Sequence, residues 1–79
     1  MEDRIAIDPA VQHGKPVIRG TRVPVARILA ELAGGMSFED VQRDYEVTRE
    51  DIHAALAYAG KLVEQEEFHP LPGGLGRSP

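Results

Sequence analysis

The sequence predicts a mainly α fold with a short N-terminal β arm, the body being a three-helix, helix-turn-helix-like (homeodomain-like) unit. Three observations predict it. The strand-like segments Arg4-Ile5-Ala6-Ile7 and Val17-Ile18 both lie before Pro24, in a stretch broken by glycines and prolines. From Val25 onward, apolar residues recur at helical spacing in three successive segments. A glycine pair and two hydroxyl-bearing cap positions separate those segments. The organisation that follows is an arm over residues 1–24, a body over 25–67 and a Pro/Gly-rich tail over 68–79.

Taken in order, Arg4-Ile5-Ala6-Ile7 alternates and runs into Asp8-Pro9, a short strand ended by a turn. Residues 10–14 read as loop. Lys15 precedes Pro16 and is steered towards extended geometry. Val17-Ile18 suits a second strand, and Arg19-Gly20-Thr21 a turn or bulge in which Gly20 takes a positive φ. Pro24 suits the first turn of a helix. Val25, Ile28, Leu29 and Leu32 form the stripe of that helix, which Gly34-Gly35 ends. Ser37, with Asp40 three residues on, caps a second helix whose Phe38, Val41 and Tyr45 share a face. Thr48 with Asp51 repeats the pattern and opens a third, whose stripe is Ile52, Ala55, Leu56, Ala59 and Val63. Glu64-Gln65-Glu66-Glu67 places anions at the unfavourable end of that helix.

Seventy-nine residues without cysteine make one domain at most, with a core too small to be comfortable alone. Oligomerisation is the expected extra source of stability, and a homodimer joined through the arms and the apolar helix faces is the expected form. Exchange of arms would pair the open edges of a short strand. No apolar run is long enough for a membrane span and no signal-peptide core opens the chain, so the expected location is cytoplasmic.

The net charge of −4 hides an asymmetry. Residues 1–29 hold five cations against three anions; residues 30–67 hold three against ten. A polyanion would be repelled by the body and met by the arm, and a cationic partner would be met by the body. The chain Gly14-Lys15-Pro16-Val17-Ile18-Arg19-Gly20-Thr21-Arg22-Val23-Pro24-Val25 concentrates this basic character. Arg19 and Arg22, across a Gly-Thr turn, are placed to reach phosphate or a guanine edge together. The alternative, that both are solvated or pair with carboxylates of the same fold, stays open.

Two helices separated by Glu46-Val47-Thr48, with one more ahead of them, have the layout of a helix-turn-helix, and equally that of a plain interaction module. Glu50 and Asp51 in the first turn of the third helix oppose phosphate, so the arm is the better nucleic-acid reader. The candidate DNA contacts are Lys15, Arg19, Thr21, Arg22 and Arg27. The order of residues argues against a phosphate loop, because the lysine follows the first glycine and Pro16 removes a backbone donor. His13, His53 and His69 show no metal-ligand spacing. No serine or threonine has a neighbouring base, so neither catalytic residue, metal nor cofactor is expected and the chain does not read as an enzyme. Phe68, Leu71 and Leu75 of the tail suit a groove on a partner, with ordering on binding.

The residues carry a resemblance as well. Ile7-Asp8-Pro9, the Gly14–Val25 block, Gly35-Met36-Ser37, Tyr45, Thr48, Asp51-Ile52 and Ala54-Ala55-Leu56-Ala57-Tyr58 resemble a short prokaryotic family, long catalogued as a domain of unknown function, now commonly described as VapB-type antitoxin. The resemblance spans about residues 4–64, and its Gly-Lys-Pro-x-Ile-x-Gly-Thr-Arg block is highly specific. It implies a helix-turn-helix-like dimer encoded beside a small PIN-like ribonuclease toxin, with toxin neutralisation and repression of its own promoter. The resemblance does not name the toxin-contacting residues, and the tail lies outside the shared pattern; by charge and apolar character the residues expected to meet a cationic, RNA-binding toxin surface are Glu64, Glu66, Glu67, Phe68, Leu71, Leu75 and Arg77. The runner-up is an interaction module, or a stand-alone regulator, with no toxin partner.

Overall fold

A computed structural model describes residues 4–65. Strand β1 (Ile5–Ala6) pairs antiparallel with β2 (Val17–Ile18), Ile5 opposite Ile18 and Ala6 opposite Val17. Helices α1 (Val25–Ala33), α2 (Phe38–Tyr45) and α3 (Arg49–Gln65) follow. The fold is therefore three helices behind a two-stranded N-terminal sheet. The expected strand at Arg4–Ile7 narrows to two residues, and Ile7 is 60% exposed.

The centre of the core takes one branched residue from β2 and one from each helix. Ile18, Ile28, Val41 and Ile52 are each at most 1% exposed. Ile5, Val25, Val47 and Ala55 complete the buried cluster, with Phe38 and Tyr45 packed on its edge. Burying a branched side chain of this kind stabilises by about 1.5–3 kcal/mol, so this small set is the fold's main support.

Local chemistry decides where each helix begins and ends. Pro24 lies one residue ahead of α1, at the cap (φ −68, ψ 142), rather than in its first turn. The Val17–Pro24 bridge and the Val25 N–H donating to the Pro16 carbonyl (2.9 Å) hold that segment extended until Val25. The end of α1 is closed by the Gly35 N–H on the Leu32 carbonyl (3.0 Å) and the Met36 N–H on the Glu31 carbonyl (3.0 Å), with Gly35 at φ 101. The Ser37 hydroxyl accepts from the Asp40 N–H at 3.0 Å and caps α2. At α3 the capping is reciprocal: Thr48 Oγ1 accepts from the Asp51 N–H (3.0 Å) and Asp51 Oδ2 from the Thr48 N–H (2.9 Å). Between α2 and α3 the chain turns at Glu46, a non-glycine residue in the left-handed region (φ 55, ψ 45).

One expectation fails in part. The stripe of α3 reaches the core only through Ile52 and Ala55, while Leu56, Leu62 and Val63 are 41%, 46% and 70% exposed. At 17 residues α3 is about 25 Å long. Its partners α1 and α2 have nine and eight residues; beyond Tyr58, which packs against the core, the described elements leave Leu62 and Val63 largely uncovered. The charged end at Glu66 and Glu67, and the tail, lie outside the described residues.

Candidate functional site

The basic segment folds into two linked turns. In the first, Gln12, His13 and Gly14 all have positive φ (50, 57 and 81), a left-handed 3₁₀ turn where the sequence suggested plain loop. The Asp8 carboxylate starts this segment by accepting from the Ala10 N–H at 2.9 Å, and the Asp8 carbonyl accepts from the Val11 N–H at 2.8 Å. The Gly14 and Lys15 N–H groups close it on the Val11 and Gln12 carbonyls (3.0 and 3.1 Å). Two consecutive non-glycine residues in this region cost free energy, and the surrounding bonds hold them there.

The second turn carries the arginines. The Thr21 N–H donates to the Ile18 carbonyl (3.0 Å), and Gly20 has φ 81 at the third position, the geometry of a type II turn. A Cβ on Gly20 would meet nothing within 4 Å, so the backbone angle, not space, requires glycine. The two turns are tied together where Gln12 Nε2 donates to the Arg22 carbonyl at 3.1 Å.

This architecture sorts the predicted DNA contacts. The Arg19 guanidinium donates to the Ile5 carbonyl (3.1 Å), while its backbone N–H donates to the Arg4 carbonyl (2.7 Å). Arg19 thus staples β2 to β1. The Thr21 hydroxyl donates to the Ile18 carbonyl (2.7 Å) and accepts from the Val23 N–H (2.9 Å), serving the turn. Lys15, Arg22 and Arg27 are exposed. Lys15 and Arg27 line one shallow groove with Gln12, Pro24, Ala26, Ala30 and Glu31, whereas Arg22 stands apart from it. Glu31 accepts a short hydrogen bond from the Tyr45 hydroxyl. That bond, and then burial, push the Tyr45 phenol above its usual range, with Arg27 opposing. The net effect is a groove whose one carboxylate is already engaged.

A second surface was not evident from the sequence. The Arg49 guanidinium lies 4.8 Å from the centre of the Phe38 ring, and His53 meets the same ring edge-on at 5.6 Å. Only the i, i+4 spacing of Arg49 and His53 hinted at it. Beside them, Asp51 is less of a repellent charge than the sequence implied, because its Oδ1 accepts from Arg4 at 3.1 Å while Oδ2 serves the cap. Arg43 similarly bonds Asp40 and Asp44 (3.0 and 3.1 Å), and those bonds raise its pKa. Of the residues expected to meet a toxin, Glu64 is exposed near the end of α3. Glu66, Glu67, Phe68, Leu71, Leu75 and Arg77 lie outside the described residues. Among the described residues no three of His, Asp and Glu converge as a metal site, and no helix is long and apolar enough to cross a membrane.

Comparison with known proteins gives a family and a fold match. A family model described as "Protein of unknown function (DUF433)" matches residues 5–59. The crystal structure of a DUF433 member protein from Anabaena variabilis is similar with a TM-score of 0.73 and 34% identity, over 80% of this chain and 63% of that one. The crystal structure of Rv2018 from Mycobacterium tuberculosis is similar with a TM-score of 0.61 and 38% identity, over 66% of this chain and 24% of that one. A Mycobacterium tuberculosis protein named "Putative antitoxin VapB45" is 38% identical over 52 residues, 66% of this chain. The chain spans only 22% of that relative's length.

Proposed function

This chain belongs to the DUF433 family, and from that premise we propose that it is the antitoxin of a type II toxin–antitoxin pair. The observation that carries the proposal is the 38% identity to the relative named as an antitoxin. The charge division of the chain supports it: exposed Lys15, Arg22 and Arg27 at one end, and an acidic run from Glu64 at the other. The chain neutralises a PIN-like ribonuclease toxin by direct binding. Glu64, Glu66 and Glu67 face the cationic surface that such an enzyme needs for RNA, and Phe68, Leu71, Leu75 and Arg77 extend the contact. It acts as a homodimer in the cytoplasm and represses its own operon.

In the DNA complex, Lys15, Arg22 and Arg27 meet phosphate or base edges. Arg19 and Thr21 act mainly by holding the turn that presents Arg22. Lys15→Ala with Arg27→Ala is expected to weaken operator binding and to lower the salt slope by about two. Thr21→Val should lower stability first and affinity only in proportion.

The decisive experiment is co-expression with the product of the neighbouring gene, followed by an RNA-cleavage assay. A stable complex with suppressed cleavage supports the antitoxin. No complex and full cleavage overturn it. Within the complex, changing Glu64, Glu66 and Glu67 to glutamine should weaken toxin affinity and flatten its salt dependence. A second reading, a helix-turn-helix regulator without a toxin, is favoured by the Arg49–Phe38–His53 surface at the start of α3. Arg49→Ala abolishing DNA binding, with Lys15 and Arg27 dispensable, would select it.

A further inference from the structure

Arg27 and Glu31 stand four residues apart on α1, the spacing at which opposite charges on a helix meet directly. They do not pair here. Among the described residues the ion pairs are Arg4–Asp51, Arg43–Asp40 and Arg43–Asp44. Glu31 Oε2 instead accepts from the hydroxyl of Tyr45, the last residue of α2. That bond raises the phenol's pKa, and the Arg27 guanidinium, hydrogen-bonded to the same hydroxyl, opposes the rise. One phenol therefore stands between two charges that the helix would otherwise bring together.

The consequence falls on the groove. Lys15 and Arg27 are its cations and Glu31 its one carboxylate. The Val25 N–H on the Pro16 carbonyl brings the Lys15 segment against α1, and the Gln12 amide is spent on the Arg22 carbonyl. The groove holds about 530 Å³, within the range of small-ligand sites. An ammonium point charge and a planar fork of N–H donors lining one open space suit phosphate oxygens. A neutral hydroxyl takes one of the guanidinium's five donors, whereas a carboxylate takes two and answers the charge. Glu31 swung onto Arg27 would fill the fork.

We propose that this groove is a phosphate seat and that Tyr45 is its positioning residue: by holding Glu31, the phenol keeps the Arg27 fork open for the phosphate. Tyr45 acts through Glu31 and Arg27, not on the ligand. This rests on the reading of Lys15 and Arg27 as phosphate contacts and is independent of any toxin. A DNA backbone and a free phosphoanhydride present the same chemistry, and the test separates them.

The test uses the full chain at low ionic strength. Inorganic pyrophosphate is one probe and a short mixed-sequence DNA duplex the other, each followed by NMR titration of the Arg27 Nε–H. The variants are Tyr45→Phe, Glu31→Gln and the two together. Phenylalanine keeps the ring at the edge of the core, so circular dichroism should be unchanged. Tyr45→Phe should weaken pyrophosphate binding about threefold, the scale of a surface ion pair. Its Arg27 resonance should shift before any ligand is added. Adding Glu31→Gln should restore the lost affinity, because no carboxylate remains to compete for Arg27. A Tyr45 that only supported the fold would cost the same in both backgrounds.

Pyrophosphate that leaves Arg27 unmoved overturns the seat. No loss on Tyr45→Phe, or an equal loss with and without Glu31→Gln, overturns the positioning role. If the duplex follows the same order of affinities as pyrophosphate, the seat takes DNA phosphate. If the duplex is indifferent to all three variants while pyrophosphate keeps the order, the proposal stands with a free phosphoanhydride as ligand, and the DNA reading of Lys15 and Arg27 fails.

Discussion

Ile52 and Val63 lie on the same stripe of α3, about three turns apart, yet Ile52 is wholly buried and Val63 is 70% exposed. The first half of the helix is anchored at its cap and along its core-facing side. Its cap is reciprocal, Arg4 bridges to Asp51 from beside β1, and Ile52 and Ala55 enter the core. The second half has the same periodicity, but within the described residues only Tyr58 at its start packs against the core. Periodicity reports which face of a helix is apolar; it does not report how far the neighbouring elements extend. Where a stripe outruns its neighbours, the excess is surface to be explained by something other than the core.

The sharpest way to test the contrast is Ile52→Ala. Removing a fully buried branched side chain from so small a core should cost about 2–5 kcal/mol, enough to unfold much of the population at ordinary temperature. Urea denaturation followed by circular dichroism reads it directly. A cost below about 1 kcal/mol would mean that the first half is no better anchored than the second.

Asp51→Ala comes next, at about 1–2 kcal/mol. It removes the acceptor for the Thr48 N–H, the favourable anion at the start of α3 and the partner of Arg4 together. Thr48→Ala should cost about 1 kcal/mol, and the double variant should cost less than the sum, because both belong to one capping box. Strict additivity would show that the two hydrogen bonds act independently.

These residues also mark what could be read from the chain. Thr48 with Asp51 was legible because a capping box is a spacing of two residue types and both bonds form locally. Gly20 was legible for the same reason: the turn needs a positive φ and only its own neighbours impose it. Arg19 was not, because its staple reaches Ile5, fourteen positions away, and no local pattern signals a guanidinium spent on a distant carbonyl. The left-handed Gln12 and His13 were hidden as well, since glutamine does not favour a positive φ and the enrichment of histidine there is too small to mark one position. Lys15 and Arg27 share a groove only because Val25 closes onto Pro16. Local chemistry was readable, and the convergence that sorts one arginine from another was tertiary.

Glu46 joins the contrast through the turn that aims α3. It is exposed and left-handed at φ 55, a conformation that costs an L-residue about 1 kcal/mol or more and glycine almost nothing. Glu46→Gly should therefore stabilise by about 0.5–1 kcal/mol, with part of the gain lost to the freer unfolded chain. Thermal melts at matched concentration check it. Destabilisation would mean that the glutamate makes a compensating interaction at the α2–α3 turn.

The smallest expected effect bears hardest on the comparison. Leu62 is 46% exposed, so Leu62→Asn should change the stability of dilute monomer by no more than about 0.5 kcal/mol. For a core leucine the same change would be severe. The measurement is a melting temperature followed over a wide range of protein concentration. If a second copy covers the surface, the unaltered chain melts higher as it is concentrated and the variant gains less, because only association rewards the leucine. A loss above about 1 kcal/mol at the dilute end would instead mean that a single chain already shelters Leu62, and the two halves of α3 would then differ in degree rather than in kind.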